Sequence, residues 1–210
     1  MSKLKLLATL AAISAVTLFA QQAAAQRVSG KAFGSYVNAS GVTAQSPVAA
    51  LPETGGYAIG ETEAFGVLDQ IDAQWLTAVT TGDVSRTVSS SQSTSELENV
   101  SALGGAITAD VVTAIASSYV NASGAASNAA GSGFSNLAVN GVPVTTEVAP
   151  NTRVDLPGTG YAILNEQIPT GDGVTTSGIT VNMIHVVRTN LLGEMTGEVI
   201  VGSATSSVTP

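Results

Sequence analysis

The chain of 210 residues has no cysteine and a single histidine, His185. Without cysteine there is no disulfide staple and no thiol for a lipid anchor, so stability must come from packing and backbone hydrogen bonds. Zinc and redox-metal sites of ordinary composition, which draw on Cys and several His, are excluded on the same ground. Aromatic residues make up only 4%. Sugar clefts usually carry aromatic platforms and membrane β-barrels carry aromatic girdles, so both are disfavoured. Cations are scarce, seven Lys and Arg against fifteen Asp and Glu. Such a chain cannot neutralise a phosphate backbone, and no nucleic-acid partner is expected. Beyond the N-terminus the apolar runs, such as "VVTAIA", are far below the roughly 20 residues a spanning helix needs, so no membrane span is expected in the mature chain.

What is there begins with "MSKLKLLATLAAISAVTLFAQQAAAQ". Lys3 and Lys5 give a basic start, Leu6 to Ala20 is apolar apart from small hydroxyl residues, and Ala23–Ala25 supply the small side chains that signal peptidase accepts. This pattern predicts a cleaved secretory signal helix over residues 1–25, a mature start at Gln26, and an extracytoplasmic location, secreted or periplasmic. The remaining 185 residues hold five basic and fifteen acidic side chains, a net charge of −10. Acidity of this degree keeps a chain soluble, while a hydrophobic content of 44% is too high for a disordered one.

An internal echo organises the rest. "LPETGGYAIGE" (51–61) and "LPGTGYAILNE" (156–166) share Leu-Pro-x-Thr-Gly followed by Tyr-Ala-Ile, and their flanks are alike. A looser echo joins "GAITADVVTAIASS" (105–118) to "GITVNMIHVVRTN" (178–190). Two copies are too few for a solenoid and suit two similar halves of one β domain. Val, Ile, Thr and Ser dominate, and "NASG", "PETGG", "TTGD", "VNGV", "PGTG" and "TGDG" read as turns. In "GITVNMIHVV" the alternation places Ile179, Val181, Met183, His185 and Val187 on one face, with Thr180, Asn182, Ile184 and Val186 on the other. "IDAQWLTAV" (71–79) reads as a strand, although its apolar positions Ile71, Trp75, Leu76 and Val79 would also suit a short helix. "SRTVSSSQSTSE" (85–96) reads as a polar strand exposed on one face. The expected fold is all-β, an antiparallel sandwich-like domain in two halves, residues 26–120 and 134–210. A Gly/Ala/Ser linker over 121–133 would join them.

The first echo also matches the sorting tag that links surface proteins to a cell wall. Such a tag needs a hydrophobic span and a basic tail after it, and no Lys or Arg follows Arg188. Leu-Pro-x-Thr-Gly therefore reads as a repeated hairpin element. Pro52 and Pro157 stop strand pairing, and Gly55 and Gly160 are free to take positive φ.

The order of "GKAFGSYVNASGV", "LPETGG", "STSELENVSALGGAITADVVTAIASS", "FSNLAVNGVPV", "NTRVDLPGTGYAILNEQ", "GITVNMIHVV" and "GEVIVGSATSSV" resembles the choice-of-anchor P family of secreted bacterial proteins. The likeness spans nearly all of the mature chain. It implies an extracytoplasmic, β-rich surface or secreted protein and carries no catalytic residues across. Unlike the anchored members, this sequence shows no anchor segment before Pro210.

Candidate chemistry is thin. His185, amid Met183, Ile184, Val186 and Val187, reads as a packed histidine bonded to a neighbour. The sharper alternative pairs it with a Ser and an Asp for acyl transfer, but no G-x-S-x-G elbow accompanies it. Calcium, which takes oxygen ligands, has two candidate places: "TGDG" (170–173), which reads first as a tight turn, and the acids Glu61, Glu63, Asp69 and Asp72, which read first as a solvated face. "GGA" (104–106) lacks the lysine of a phosphate loop. No catalytic, cofactor-binding or metal residue is assigned, and no cofactor is expected. The expected function is a non-enzymatic secreted β protein with a structural, matrix or adhesive role and partners among cell-surface or matrix components. The alternative is a secreted hydrolase using carboxylates or a Ser–His pair around His185.

Overall fold

Chains rich in Val, Thr, Ser and Ile with frequent turn residues settle as antiparallel sheets, and the computed structural model does so throughout the residues it describes, 26–144 and 147–209. The expected leader, 1–25, lies outside them. One sheet, here sheet A, holds β1 (Arg27–Ala39), β2 (Val42–Ala50), β11 (Thr152–Leu156), β12 (Gly160–Thr170), β13 (Ser177–Thr189) and β14 (Met195–Thr209), in the order β11-β12-β13-β14-β1-β2. Sheet B holds β3 (Gly56–Val67), β4 (Ile71–Val84), β5 (Ser89–Ala102), β6 (Ile107–Asn121), β9 (Ala138–Val139) and β10 (Val142–Pro143), in the order β10-β9-β6-β5-β4-β3. Two further short strands, β7 (Gly124–Asn128) and β8 (Gly133–Ser135), pair with β6. Every pairing is antiparallel, and the two sheets pack face to face around a shared core.

The expected all-β, antiparallel sandwich is thus what forms. The assignment of strands to sheets was not legible in the chain. β1, the first strand, lies between β14, the last, and β2, so the described chain closes on itself within sheet A. Residues 121–133, read from composition as a linker, carry β7 and pair back on β6. Ser127 Oγ donates to the Gly178 carbonyl at 3.1 Å and accepts from Ser177 Oγ at 3.0 Å, which ties this segment to sheet A. Small residues, which look like linker composition, are what two closely approaching backbones require.

The two Leu-Pro-x-Thr-Gly units each make a turn, but one position out of step with each other and with different topology. Leu51 and Leu156 are both buried, and each unit turns back through a hydrogen bond spanning three residues, Gly55 N–H to Pro52 O and Thr159 N–H to Leu156 O, both 2.9 Å. Gly55 and Gly160 have φ of +86° and +140°. The second unit is a hairpin, with Leu156 opposite Gly160 in the β11–β12 ladder. The first is not a hairpin: β2 belongs to sheet A and β3 to sheet B, so residues 51–55 carry the chain across the sandwich. Tyr57 is accordingly exposed, while Tyr161 is half-buried with the Arg153 guanidinium 3.8 Å over its ring. "TTGD" is also no turn; it lies within β4.

A crease crosses both sheets, and it matters for the site. In β1 the inward residues are Val28, Gly30 and Ala32, then Ser35, Val37 and Ala39. In β13 they are Ile179, Val181 and Met183, then Ile184 and Val186. The register aligns the reversal points, since Met183 falls between register pairs opposite Asn165 on β12 and Gly202 on β14, and Gly202 falls opposite Gly34 on β1. Asn165 and Gly202 take φ of +51° and +67° there. A left-handed residue inserted in a pleat changes which face its successors occupy. Sheet B reverses as well, near Trp75 and Asn99, with φ of +47° and +50° and register shifts in the β4–β5 ladder. At Gly202 a Cβ would lie 2.9 Å from Val112 Cγ1, so neither conformation nor space admits a side chain.

The interior has two characters. One end is apolar, with Leu76, Leu97, Ile107, Val112, Leu164 and Ile184 fully buried. The other is made of glycine, alanine and serine. Ser90 and Gln92 are exposed, so β5 is the polar strand with one exposed face that the sequence suggests, while Ser89, Ser91, Ser93 and Ser95 all point inward and are buried. Ser91 Oγ donates to the Ser29 carbonyl at 2.8 Å and Ser95 Oγ to the Phe33 carbonyl at 2.9 Å, from sheet B to the backbone of sheet A. A Cβ on Gly30 would stand 2.8 Å from Ser93 Oγ, so β1 lies directly against these serines.

Candidate functional site

The reversal at Met183 decides where His185 points. With unbroken alternation it would share the inward face of Val181 and Met183, as the periodicity predicts. Ile184 and Val186 take the inward positions instead, and His185 joins Asn182 on the outer face of sheet A. Neighbouring strands then supply one carboxylate each. Glu166 on β12 stands opposite Asn182, and Glu198 on β14 stands opposite Val187, so both reach His185 along the diagonal.

The geometry is a clamp. His185 Nδ1 lies 3.0 Å from Glu166 Oε2, and Nε2 lies 3.1 Å from Glu198 Oε2. Asn182 Nδ2 donates to the same Glu166 oxygen at 2.7 Å, and Ser203 Oγ donates to Asn182 Oδ1 at 2.7 Å. The side chains of His185, Glu166 and Glu198 are 17%, 13% and 23% exposed, so the pairs sit in a partly desolvated setting where they count for more than surface ion pairs.

Both carboxylates accept, so both ring nitrogens must carry protons for both bonds to exist. The hydrogen bond to Glu166 raises the His185 pKa above its ordinary value; burial opposes this, and the Glu166 charge together with the bond and charge of Glu198 adds to the rise. For Glu166, burial pushes the pKa up, but the bonds from His185 and Asn182 and the imidazolium charge outweigh it, and the net shift is downward.

Both ring nitrogens are committed to carboxylates, and among the described residues no serine hydroxyl is hydrogen-bonded to His185. Among the described residues no group of three His, Asp or Glu side chains is placed to hold one metal ion, since the two glutamates approach the ring from opposite nitrogens.

The remaining candidates scatter. In "TGDG", Asp172 Oδ1 accepts from the backbone N–H groups of Val174, Thr175 and Thr176 at 2.8–2.9 Å, and Thr175 Oγ1 donates to Oδ2 at 2.7 Å. These donors hold its carboxyl far below the usual carboxylate range and take up the oxygens a cation would need. Glu61 and Glu63 lie on β3, Asp69 in the following turn and Asp72 on β4. Asp69 and Asp72 line a cleft of about 350 Å³ with Gln70, which reaches across to accept from Arg188 at 2.8 Å. A cleft of about 490 Å³ is bordered by Gly82, Ser91, Gln92, Ser117, Ser118 and Tyr119. Neither cleft, nor those beside Phe134 and Val120, is lined by His185, Glu166 or Glu198.

Glu166, Glu198 and Asn182 went unread in the sequence. The available signal was that Glu166 in "YAILNEQI" and Glu198 in "TGEVIVG" are lone charges in otherwise uncharged strands, as His185 is a lone imidazole in its own. Isolated charges on neighbouring inner strands are costly unless paired.

Fold and site together define a two-sheet, all-β protein whose best-defined ionisable cluster cross-links strands. No family model matches the chain, and no curated protein and no solved structure matches it.

Proposed function

We propose that this chain is a secreted, non-enzymatic β-rich protein with a structural, matrix or adhesive role outside the cytoplasm. The observation that carries the reading is the clamp. His185, the histidine an acyl-transfer site would need, has both nitrogens bound to carboxylates and lies away from the described clefts. It joins three strands and presents no general base to a cavity. The leader-like N-terminus and the resemblance to choice-of-anchor P proteins support export, and surface or matrix components are the partners such a role implies.

The test is export from a bacterial host with the full leader. Protein recovered outside the cytoplasm with Gln26 as its first residue supports the reading, and protein retained inside with Met1 overturns it. The same material is assayed against panels of ester and glycoside substrates. Turnover that disappears in His185→Ala would establish the hydrolase alternative; absence of turnover supports the structural role.

A further inference from the structure

Sheet A ends in a hairpin, β11–β12, and among the described residues the long ladder that holds this hairpin to the rest of the sheet is β12 against β13. Glu166 sits within that ladder, and its side chain is bound from β13 by both His185 and Asn182. His185 is in turn bound from the other side by Glu198 of β14. The three side chains therefore span β12, β13 and β14 on the outer face. We propose that Glu166–His185–Glu198 is a proton-operated clasp: it locks the β11–β12 hairpin onto β13 and β14 while both ring nitrogens carry protons, and loses one of its two bonds when one proton leaves.

The chemistry permits only this behaviour. A neutral imidazole has one N–H, so one carboxylate is left facing a lone pair, with the other carboxylate on the far side of the ring. Nothing else compensates. Directly opposite His185 stand Ile163 on β12 and Ile200 on β14, which are uncharged; beyond Ile200 stands Tyr36 on β1, and beyond Ile163 stands Arg153 on β11, which is paired with Asp155. On β13 itself the nearest cation, Arg188, is engaged with Gln70. Among the described residues, then, Glu166 and Glu198 are the charged groups that face the ring.

The direction of the pH effect follows. His185 is raised, so its contribution is complete below its ordinary value of about 6.5 and is lost as pH rises through the higher value of the folded protein. Glu166 is lowered, so its contribution is complete above the usual carboxylate range and is lost as pH falls through the lower folded value. The clasp is closed between these limits, in mildly acidic solution, and weakens on the alkaline side, where docking of the hairpin no longer gains from a doubly protonated ring. This holds whether or not the chain is exported.

Because His185 is the sole histidine, its ring resonances in a proton–carbon correlation spectrum need no assignment. The wild-type protein is titrated, and hydrogen exchange of the β12 amides, corrected for intrinsic rates, is compared with that of the β1–β14 ladder. The expected result is a titration above about 6.5, with β12 protection falling relative to β1–β14 across the same pH range, by about tenfold for each unit by which folded and unfolded values differ. In Glu198→Gln the titration should move down while the fold is kept, and in His185→Gln the pH dependence of β12 protection should vanish. A histidine that titrates at or below its ordinary value overturns the clasp, as does β12 protection that stays level with β1–β14 across the titration. Should His185→Gln fail to fold, the wild-type and Glu198→Gln measurements still decide.

Discussion

The two ends of the sandwich interior solve one problem by different means. At the apolar end, large side chains such as Leu97, Ile107 and Leu164 fill the space between the sheets, and cohesion comes from buried area and close contact. At the serine end, Gly30, Ala32, Ala49, Ala78 and the β5 serines leave little side chain to bury. The sheets there come close enough for Ser91 and Ser95 hydroxyls to bond the backbone of the facing sheet. Polar sequence is therefore no guide to exposure in this protein. A serine is small enough for tight inter-sheet packing and remains acceptable inside when its hydroxyl finds an acceptor. The solution is not free of cost: the hydroxyls of Ser35, Thr80 and Ser93 are buried without a hydrogen-bond partner.

The contrast can be broken at graded points. The largest effect is expected at the apolar end. Leu164→Ala removes a fully buried side chain and should destabilise by about 2–5 kcal/mol, read from urea unfolding midpoints. A loss under about 1 kcal/mol would mean that this end collapses around the gap, contrary to a rigid core. Next comes the crease near the junction of the two ends. Gly202→Val adds positive-φ strain of about 1–2 kcal/mol and a clash with Val112. A total of about 3 kcal/mol is expected, while Gly202→Ala should cost less, which separates strain from bulk.

At the serine end the expected effects are smaller and differ in sign. Ser95→Ala removes the bond from the hydroxyl to the Phe33 carbonyl, for a loss of about 1 kcal/mol. Ser93→Ala removes a hydroxyl that has no partner and should be neutral or stabilising by up to about 1 kcal/mol. Two serines two residues apart on one inward face would then answer oppositely to one substitution. If both variants lose stability equally, the distinction between satisfied and unsatisfied hydroxyls does not govern this end of the core.

Much of the local structure could be read from the chain, and the reason is that turns are written locally. Ser40–Gly41 and Asn140–Gly141 take the paired positive φ of tight hairpin loops, at +55° and +78° and at +50° and +73°, where "NASG" and "VNGV" announce them. The strand over 71–79 was only partly legible, since Ile71, Trp75, Leu76 and Val79 also suit a short helix, and the left-handed Trp75 that breaks the alternation is a feature of the folded sheet. The clamp was not legible. His185 stood out as a lone histidine, but the period-two rule placed it with Met183, because the rule assumes an unbroken pleat.

By itself the sequence determined that this chain forms antiparallel strands, where most of them turn, and that it lacks the side chains for a thiol or zinc chemistry. Composition and turn residues act over a few positions, so they survive without knowledge of neighbours. Only the tertiary structure decided which strands pair, that β1 lies against β14, that residues 51–55 cross between sheets while 156–160 form a hairpin, and that the β5 serines face inward. It also decided the site. Glu166, His185 and Glu198 meet because three strands are held in register with their facing reversed at Asn165, Met183 and Gly202, and register between strands is set by packing and backbone pairing across the sheet, which no window along one strand contains.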